Sequence, residues 1–163
     1  MIVVEGVADV AAVDDFVAEP DSIGEACDCA VTALDARYVA GRHHLEAAVE
    51  RANRAFARDD AIADDRAIEV LLYAAGRRQI QQALEMGVSE GEGPIVVVVD
   101  GDDEAGAAER VRTLVEPAAV IGVERDEELI CEFFGITDAE LGATDAPLEA
   151  LVVERVSLLA IDK

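Results

Sequence analysis

The chain has 163 residues, and its 36 acids against 13 bases give a formal net charge of −23 at pH 7. A hydrophobic fraction of 52% excludes a disordered acidic tail and predicts a single folded domain, residues 1–163, with a sizeable core. No apolar run reaches the ~18–20 residues of a membrane span, and the opening residues lack the basic lead of a signal peptide, so we expect a cytoplasmic protein without a membrane partner.

Taken in chain order, hydrophobic patterning predicts short strands and longer helices. The run Pro94–Val99 has no polar alternation, which is typical of a strand buried on both faces. We predict an α/β (α+β) fold, in which a small mixed β-sheet packs against a large helical layer. The predicted strands are Ile2–Val10, Ala30–Asp35, Pro94–Val99 and Val120–Val123, and the main predicted helices are Pro20–Cys29, Arg42–Asp59, Ile68–Ala75, Ala105–Val115, Asp126–Phe134 and Pro147–Ile161.

A break between two helices is predicted at Gly76, in the run EVLLYAAGRRQIQQALEMG. An apolar stripe at helical spacing runs up to Ala75, and Gly76 can adopt the left-handed conformation that ends a helix. Arg77 and Arg78 are then predicted to lie in the first turn of the next helix. Cations there are unfavourable by roughly 0.3–1 kcal/mol each, because the helix dipole is positive at that end. Two arginines and free helix N–H groups would suit an anion, most simply a phosphate.

Charge is unevenly distributed along the chain. Eight arginines and seven acids lie between Arg37 and Arg78, a net charge of +1, whereas five bases and 29 acids, a net charge of −24, make up the rest. The sole lysine is Lys163. An acid-coated, lysine-poor but hydrophobic chain is typical of a halophilic protein, in which molar salt screens charges within about 3 Å. The acidity therefore says little about partners.

No catalytic constellation is evident in the sequence. The two histidines, His43 and His44, are adjacent and point about 100° apart on a helix, and no serine elbow accompanies them. We therefore predict a non-enzymatic protein without a catalytic residue, metal or cofactor. One alternative is a small metal-dependent enzyme that uses the acids between Asp100 and Asp103 to hold magnesium. Another is a purely structural interaction domain without nucleic-acid contact.

The final predicted helix, LEALVVERVSLLAI, is apolar on more than one side. A helix that is apolar all round is either buried in the core or packed on a partner, and the sequence leaves both open. One stripe consists of Leu148, Leu151, Val152, Val156 and Leu159, and further apolar residues lie outside it. The candidates for a partner interface are Leu151, Val153, Leu158 and Ile161.

Two runs, YVAGRHHLEAAVERANRAF and EVLLYAAGRRQIQQALEMGV, resemble the small kinase-binding subunit of the KEOPS complex, the archaeal relatives of TPRKB. The resemblance is strong over Tyr38–Val88. It implies a non-catalytic accessory subunit that binds the atypical kinase/ATPase of KEOPS, the complex that transfers threonylcarbamoyl to an adenosine of tRNA. In archaea the family also engages the single-stranded 3′ end of tRNA. Carried onto this sequence, the resemblance implies tRNA contacts at Arg42, Gly76, Arg77, Arg78 and Ile80.

Overall fold

The structure is a computed structural model that describes residues 1–161. Its strands are β1 (Ile2–Val10), β2 (Cys29–Asp35), β3 (Gly91–Gly101) and β4 (Glu116–Pro117). Its helices are α1 (Val13–Cys27), α2 (Arg42–Ala57), α3 (Arg66–Ala75), α4 (Ile80–Ala83), α5 (Glu104–Arg112), α6 (Glu127–Phe134), α7 (Asp138–Gly142) and α8 (Leu148–Ile161). None of these helices combines the length and the apolarity that crossing a bilayer requires.

The strands form one four-stranded sheet in the order β2-β3-β1-β4. β1 and β2 both pair antiparallel with β3, so that Val99 lies opposite Ile2 on one side and Val31 on the other. β4 pairs antiparallel with β1 at Gly6 and Val7. The predicted α/β class, with a small sheet and a dominant helical layer, is confirmed. The pairings are antiparallel throughout, where we expected a mixed sheet.

Strand β3 lies inside the sheet and is buried on both faces. Val96 and Val98 belong to the core that includes α2, α3 and α8, whereas Val97 and Val99 belong to a second core with α1 and α5. Helices therefore cover both faces of the sheet. This arrangement explains why the run Pro94–Val99 is apolar at every position.

Helix α1 begins at Val13, well before the predicted start at Pro20. Phe16, Pro20 and Ile23 recur at helical spacing, and Pro20 and Ile23 are buried. Packing of this face therefore outweighs the hydrogen bond that a proline removes inside a helix. The prediction gave too much weight to Pro20 as a start signal.

The predicted strand Val120–Val123 is wrong, because this segment forms a turn. The carboxylate of Glu5 accepts the backbone N–H groups of Val120 and Ile121 at 3.0 and 2.9 Å. These two donors are thereby taken out of any strand ladder. Pairing with β1 occurs instead at Glu116–Pro117.

Candidate partner and nucleic-acid surfaces

Gly76 ends α3, as its position in the sequence predicted. It has φ +61° and ψ 34°, the left-handed conformation that glycine adopts with the least strain. The N–H of Gly76 donates to the carbonyl of Tyr73 at 3.1 Å, and the N–H of Arg77 donates to the carbonyl of Leu72 at 3.0 Å. These bonds satisfy the last carbonyls of α3 and direct the chain out of the helix at Arg77.

The buried side chain of His44 fixes the start of α2 against the end of α3. Its Nδ1 accepts the N–H of Ala40 at 3.1 Å, so the proton of the neutral imidazole lies on Nε2, which is 2.8 Å from the carbonyl of Ala74 and donates to it. Burial lowers the pKa of His44 below its ordinary value of 6.5. The first turn of α2, with the exposed Arg42, thus lies at the same end of the helical layer as Gly76.

Arg77 and Arg78 lie outside any helix, contrary to the prediction. Gln79 has an extended backbone, and α4 begins only at Ile80 as a segment of four residues. The N–H of Arg77 donates to the carbonyl of Leu72 at the end of α3. Arg78 and Gln79 therefore lead the chain away from α3 before the next helix begins. The argument from a helix dipole therefore does not apply to these two arginines.

Contacts with Phe133 hold the side chain of Arg77 in place. Its guanidinium carbon lies 4.4 Å from the centroid of the Phe133 ring, and its Nη2 donates to the backbone carbonyl of Phe133. The ring of Phe133 makes edge-on contacts with Tyr38 and Phe134, at centroid distances of 5.6 and 5.1 Å. A cleft of about 780 Å³ opens beside these groups. The guanidinium therefore reaches the surface with little side-chain freedom left to lose on binding.

Residues 76–84, which we call the Gly76 connection, also expose apolar side chains. Ile80 is 46% exposed, and Leu84, four residues later, is 54% exposed. Arg78 is exposed between Arg77 and Ile80. The structure thus groups the predicted tRNA-binding residues at one end of the helical layer. Leu84, which was not among the predicted tRNA-binding residues, is exposed on the same segment.

Helix α8 divides into a buried stripe and an exposed end. Leu151 is only 6% exposed, and Val153 is half-buried against the same core. Leu151 therefore packs mainly within the fold and Val153 is partly exposed, and their selection as partner-binding residues stays a prediction. Leu158 and Ile161, at 41% and 76% exposure, are on the surface. The described apolar surface of α8 is thus confined mainly to its last turn.

Two arginines of α2 and a third directly after its end lie beside the last turn of α8. Arg51, Arg54 and Arg58 line a pocket of about 80 Å³ together with Ala160 of α8. Their spacing of three and four residues places them along one side of α2. The exposed end of α8 is therefore bordered by these arginines, together with Asp60, which lines the same pocket. The sequence shows that this segment is rich in arginine, but nothing within the segment indicates that it lies beside α8.

The acids at the end of β3 make structural contacts. A carboxylate oxygen of Asp100 lies 3.4 Å from the N-terminal ammonium of Met1, and another lies 3.1 Å from the guanidinium of Arg66. Asp103 caps α5 by accepting the N–H of Gly106 at 3.1 Å. Within residues 1–161, no group of three or more His, Cys, Asp or Glu side chains is arranged to hold a metal ion. The metal-dependent alternative therefore lacks a ligand set in this part of the chain.

Comparison with known proteins agrees with the resemblance seen in the sequence. The family described as kinase binding protein CGI-121 matches residues 7–160, which include the Gly76 connection and almost all of α8. A comparison with curated proteins gives no match. The family match confirms the resemblance to the kinase-binding subunit of KEOPS. The chain belongs to the CGI-121 family of kinase binding proteins.

Proposed function

We propose that the chain is a non-catalytic accessory subunit that binds the kinase/ATPase subunit of KEOPS and the single-stranded 3′ end of tRNA. In this role it supports the modification of tRNA with threonylcarbamoyl-adenosine. Membership of a kinase-binding family supports the protein partner. The observation that carries the proposal is the exposed apolar end of α8, where Ile161 is 76% exposed on a helix that is otherwise held by the core.

The end of α8 has the composition of a small protein interface. Leu158 and Ile161 supply apolar area on a helix whose backbone is fixed by packing of its other side. Arginines of α2 border this area, and interfaces commonly combine an apolar centre with a polar rim in which arginine is enriched. We therefore expect the kinase to contribute an apolar pocket with carboxylates near its edge.

The Gly76 connection has groups that suit single-stranded RNA. Arg77 and Arg78 can donate to phosphate oxygens, and the exposed Ile80 can pack against an unstacked base. Glu85 and Glu132 line the cleft beside Arg77 and would repel phosphates at low salt. At molar salt, such repulsion is screened at distances beyond about 3 Å. Direct hydrogen bonds and packing then supply most of the affinity.

Two binding experiments at molar salt test the proposal. The first is co-purification of the full chain with the KEOPS kinase subunit from the same organism, and we expect a stable complex. The second is filter binding of intact tRNA and of tRNA without its 3′ single strand, and we expect the intact form to bind more tightly. Absence of the kinase complex contradicts the protein partner, and equal binding of both tRNAs contradicts recognition of the 3′ end.

A further inference from the structure

A trough runs along the outer edge of β2. This strand is terminal in the sheet, so within residues 1–161 one of its edges pairs with no other strand. α1 and α3 both pack against β2. The consecutive residues Cys29–Ala33 line two cavities between these helices, of about 400 and 100 Å³. Successive side chains of a strand point to opposite faces, so cavities lined by consecutive residues follow the edge of the strand and not one of its faces.

The two cavities adjoin each other along the strand, and together they are called the trough here. Both are lined by Pro20 and Asp21 of α1, by Val31 of β2 and by Ala67 of α3. The walls are therefore α1 on one side and α3 on the other, with the backbone of β2 between them. At roughly 3.3 Å per residue, Cys29–Ala33 offers an edge of about 17 Å.

One end of the trough is apolar. Its walls are Val13 and Val17 of α1 and Ile68 and Leu71 of α3. Leu84, which is 54% exposed, borders the same end. This end therefore suits apolar side chains that alternate along an extended chain.

The other end is acidic. Asp21, Glu25 and Asp28 on the α1 side face Asp65 at the start of α3. Burial, together with repulsion from Asp65 and Glu25, raises the pKa of Asp21. Arg66, which also lines this end, is directed to the backbone and carboxylate of Asp100.

The acids of this end are spread along the trough. Within residues 1–161 they do not form a group that could hold a metal ion. Several cationic side chains on one extended chain would match them better than a single ion does. The local charge along this open strand edge is complementary to that of a basic polypeptide.

We infer that this trough docks an extended, basic segment of a protein partner, which adds a strand to the outer edge of β2. Its backbone would pair with Cys29–Ala33, its apolar side chains would lie between α1 and α3, and its Lys or Arg side chains would lie among Asp21, Glu25 and Asp28. An open strand edge with pockets for alternate side chains is a recurrent way to bind peptides. The trough does not include the proposed kinase surface, and it shares only Leu84 with the residues grouped near the proposed tRNA surface.

The test uses the full chain and synthetic probe peptides. The probes are acetyl-KTKTVTVTV-amide and its reversed sequence, so that both a parallel and an antiparallel strand are tested against β2. Binding is measured by amide shifts of the isotope-labelled chain, at the lowest salt at which it stays folded. We expect saturable shifts centred on β2, α1 and α3, and slowed hydrogen exchange of alternate β2 amides with at least one probe. Methylating alternate backbone nitrogens of that probe should abolish these changes.

A matched pair of variants separates the trough from the general acidity of the chain. Asp21→Lys/Glu25→Lys should weaken the probe by about tenfold. Asp15→Lys/Glu19→Lys makes the same charge change at exposed positions of α1 that do not line the trough, and should leave binding nearly unchanged. Each variant is first checked for the wild-type melting temperature.

Four results with the probes would overturn the inference. They are the absence of saturable shifts at β2 with either probe, equal weakening by both variants, equal binding of a probe with Glu in place of Lys, and unchanged binding after backbone methylation. Concentration-dependent dimerisation that protects the same β2 amides would assign the trough to a second copy of the chain, and would also overturn it.

Discussion

Two pairs of exposed apolar side chains lie on backbone segments that differ in how firmly the core supports them. Leu158 and Ile161 end a helix whose opposite side is buried in the core, whereas Ile80 and Leu84 belong to a short segment after Gly76. Among residues 1–161, Val123 is the one other large hydrophobic side chain that is exposed. A rigid apolar surface suits a protein partner, because little order must be gained on binding. A short segment with adjacent arginines suits a single strand of RNA.

The largest expected effect separates the two sides of α8. Leu151→Ala removes buried side-chain atoms from a closely packed core and should lower the free energy of unfolding by about 2–5 kcal/mol. Leu158→Ala changes a largely exposed position and should cost no more than about 0.5 kcal/mol. Denaturant unfolding at molar salt measures both. Similar losses for the two variants would place Leu158 in the core and remove the distinction.

The second prediction concerns the Gly76 connection. Arg77→Glu/Arg78→Glu should weaken binding of intact tRNA by more than about tenfold, because each lost charge-assisted hydrogen bond is worth about 1.5–3 kcal/mol. Arg78→Glu alone is also measured, since Arg77 contacts Phe133 and its loss can affect the fold. Filter binding at constant salt provides the comparison.

Arg110→Glu/Arg112→Glu is the matched control for this prediction. These arginines are exposed on α5 and lie outside both surfaces, so tRNA binding should change little. Removing the 3′ single strand should weaken binding to the wild type by a similar factor, and binding to the Arg77/Arg78 variant by little more. If the control variant loses as much affinity, the arginines act only through net charge.

Burial of His44 predicts a loss of stability on acidification. The pKa is lowered in the folded state, so the unfolded chain binds the proton more readily. Stability is therefore complete above about pH 6.5 and falls below it, by up to about 1.4 kcal/mol per pH unit. His44→Gln should be less stable at pH 7.5 but should show a shallower decline towards pH 5.5. His43→Gln is the control, and an equal change of slope in it would contradict the assignment.

The smallest expected effect concerns salt. With a net charge of −23, the isolated chain should gain stability as salt rises to the molar range. A gain on the order of 1 kcal/mol would raise the melting temperature by roughly 2–4 °C. The melting temperature of Leu158→Glu should rise with salt as steeply as that of the wild type, because the substitution adds one charge to a net charge of −23. A flat melting temperature would contradict the halophilic interpretation.

The sequence predicted those elements whose formation depends mainly on residues close together in the chain. Gly76, the helix over Arg42–Ala57 and the apolar strand around Val97 follow from backbone freedom and from hydrophobic spacing. Proline inside α1 and the carboxylate of Glu5 acting on the turn at Val120 misled the prediction, because both depend on packing from distant parts of the chain.

The candidate sites show the same limit. Spacing showed that α8 has more apolar residues than one stripe, but only its neighbours α2 and α3 decide that Leu151 is buried and Ile161 is exposed. Likewise, the partner of Arg77 is Phe133, which is 56 residues away in the sequence. No pattern within one segment could have paired them.

The affinity of the KEOPS kinase subunit for the end of α8 tests the central claim most directly. Titration calorimetry at molar salt should compare the wild type with Leu158→Glu/Ile161→Glu and with Val123→Glu, a single substitution of the same kind at an exposed apolar residue in another part of the surface. We predict that the double variant keeps its melting temperature within a few degrees and loses more than about tenfold in affinity, while Val123→Glu binds as the wild type does. Wild-type affinity in the double variant would contradict the account.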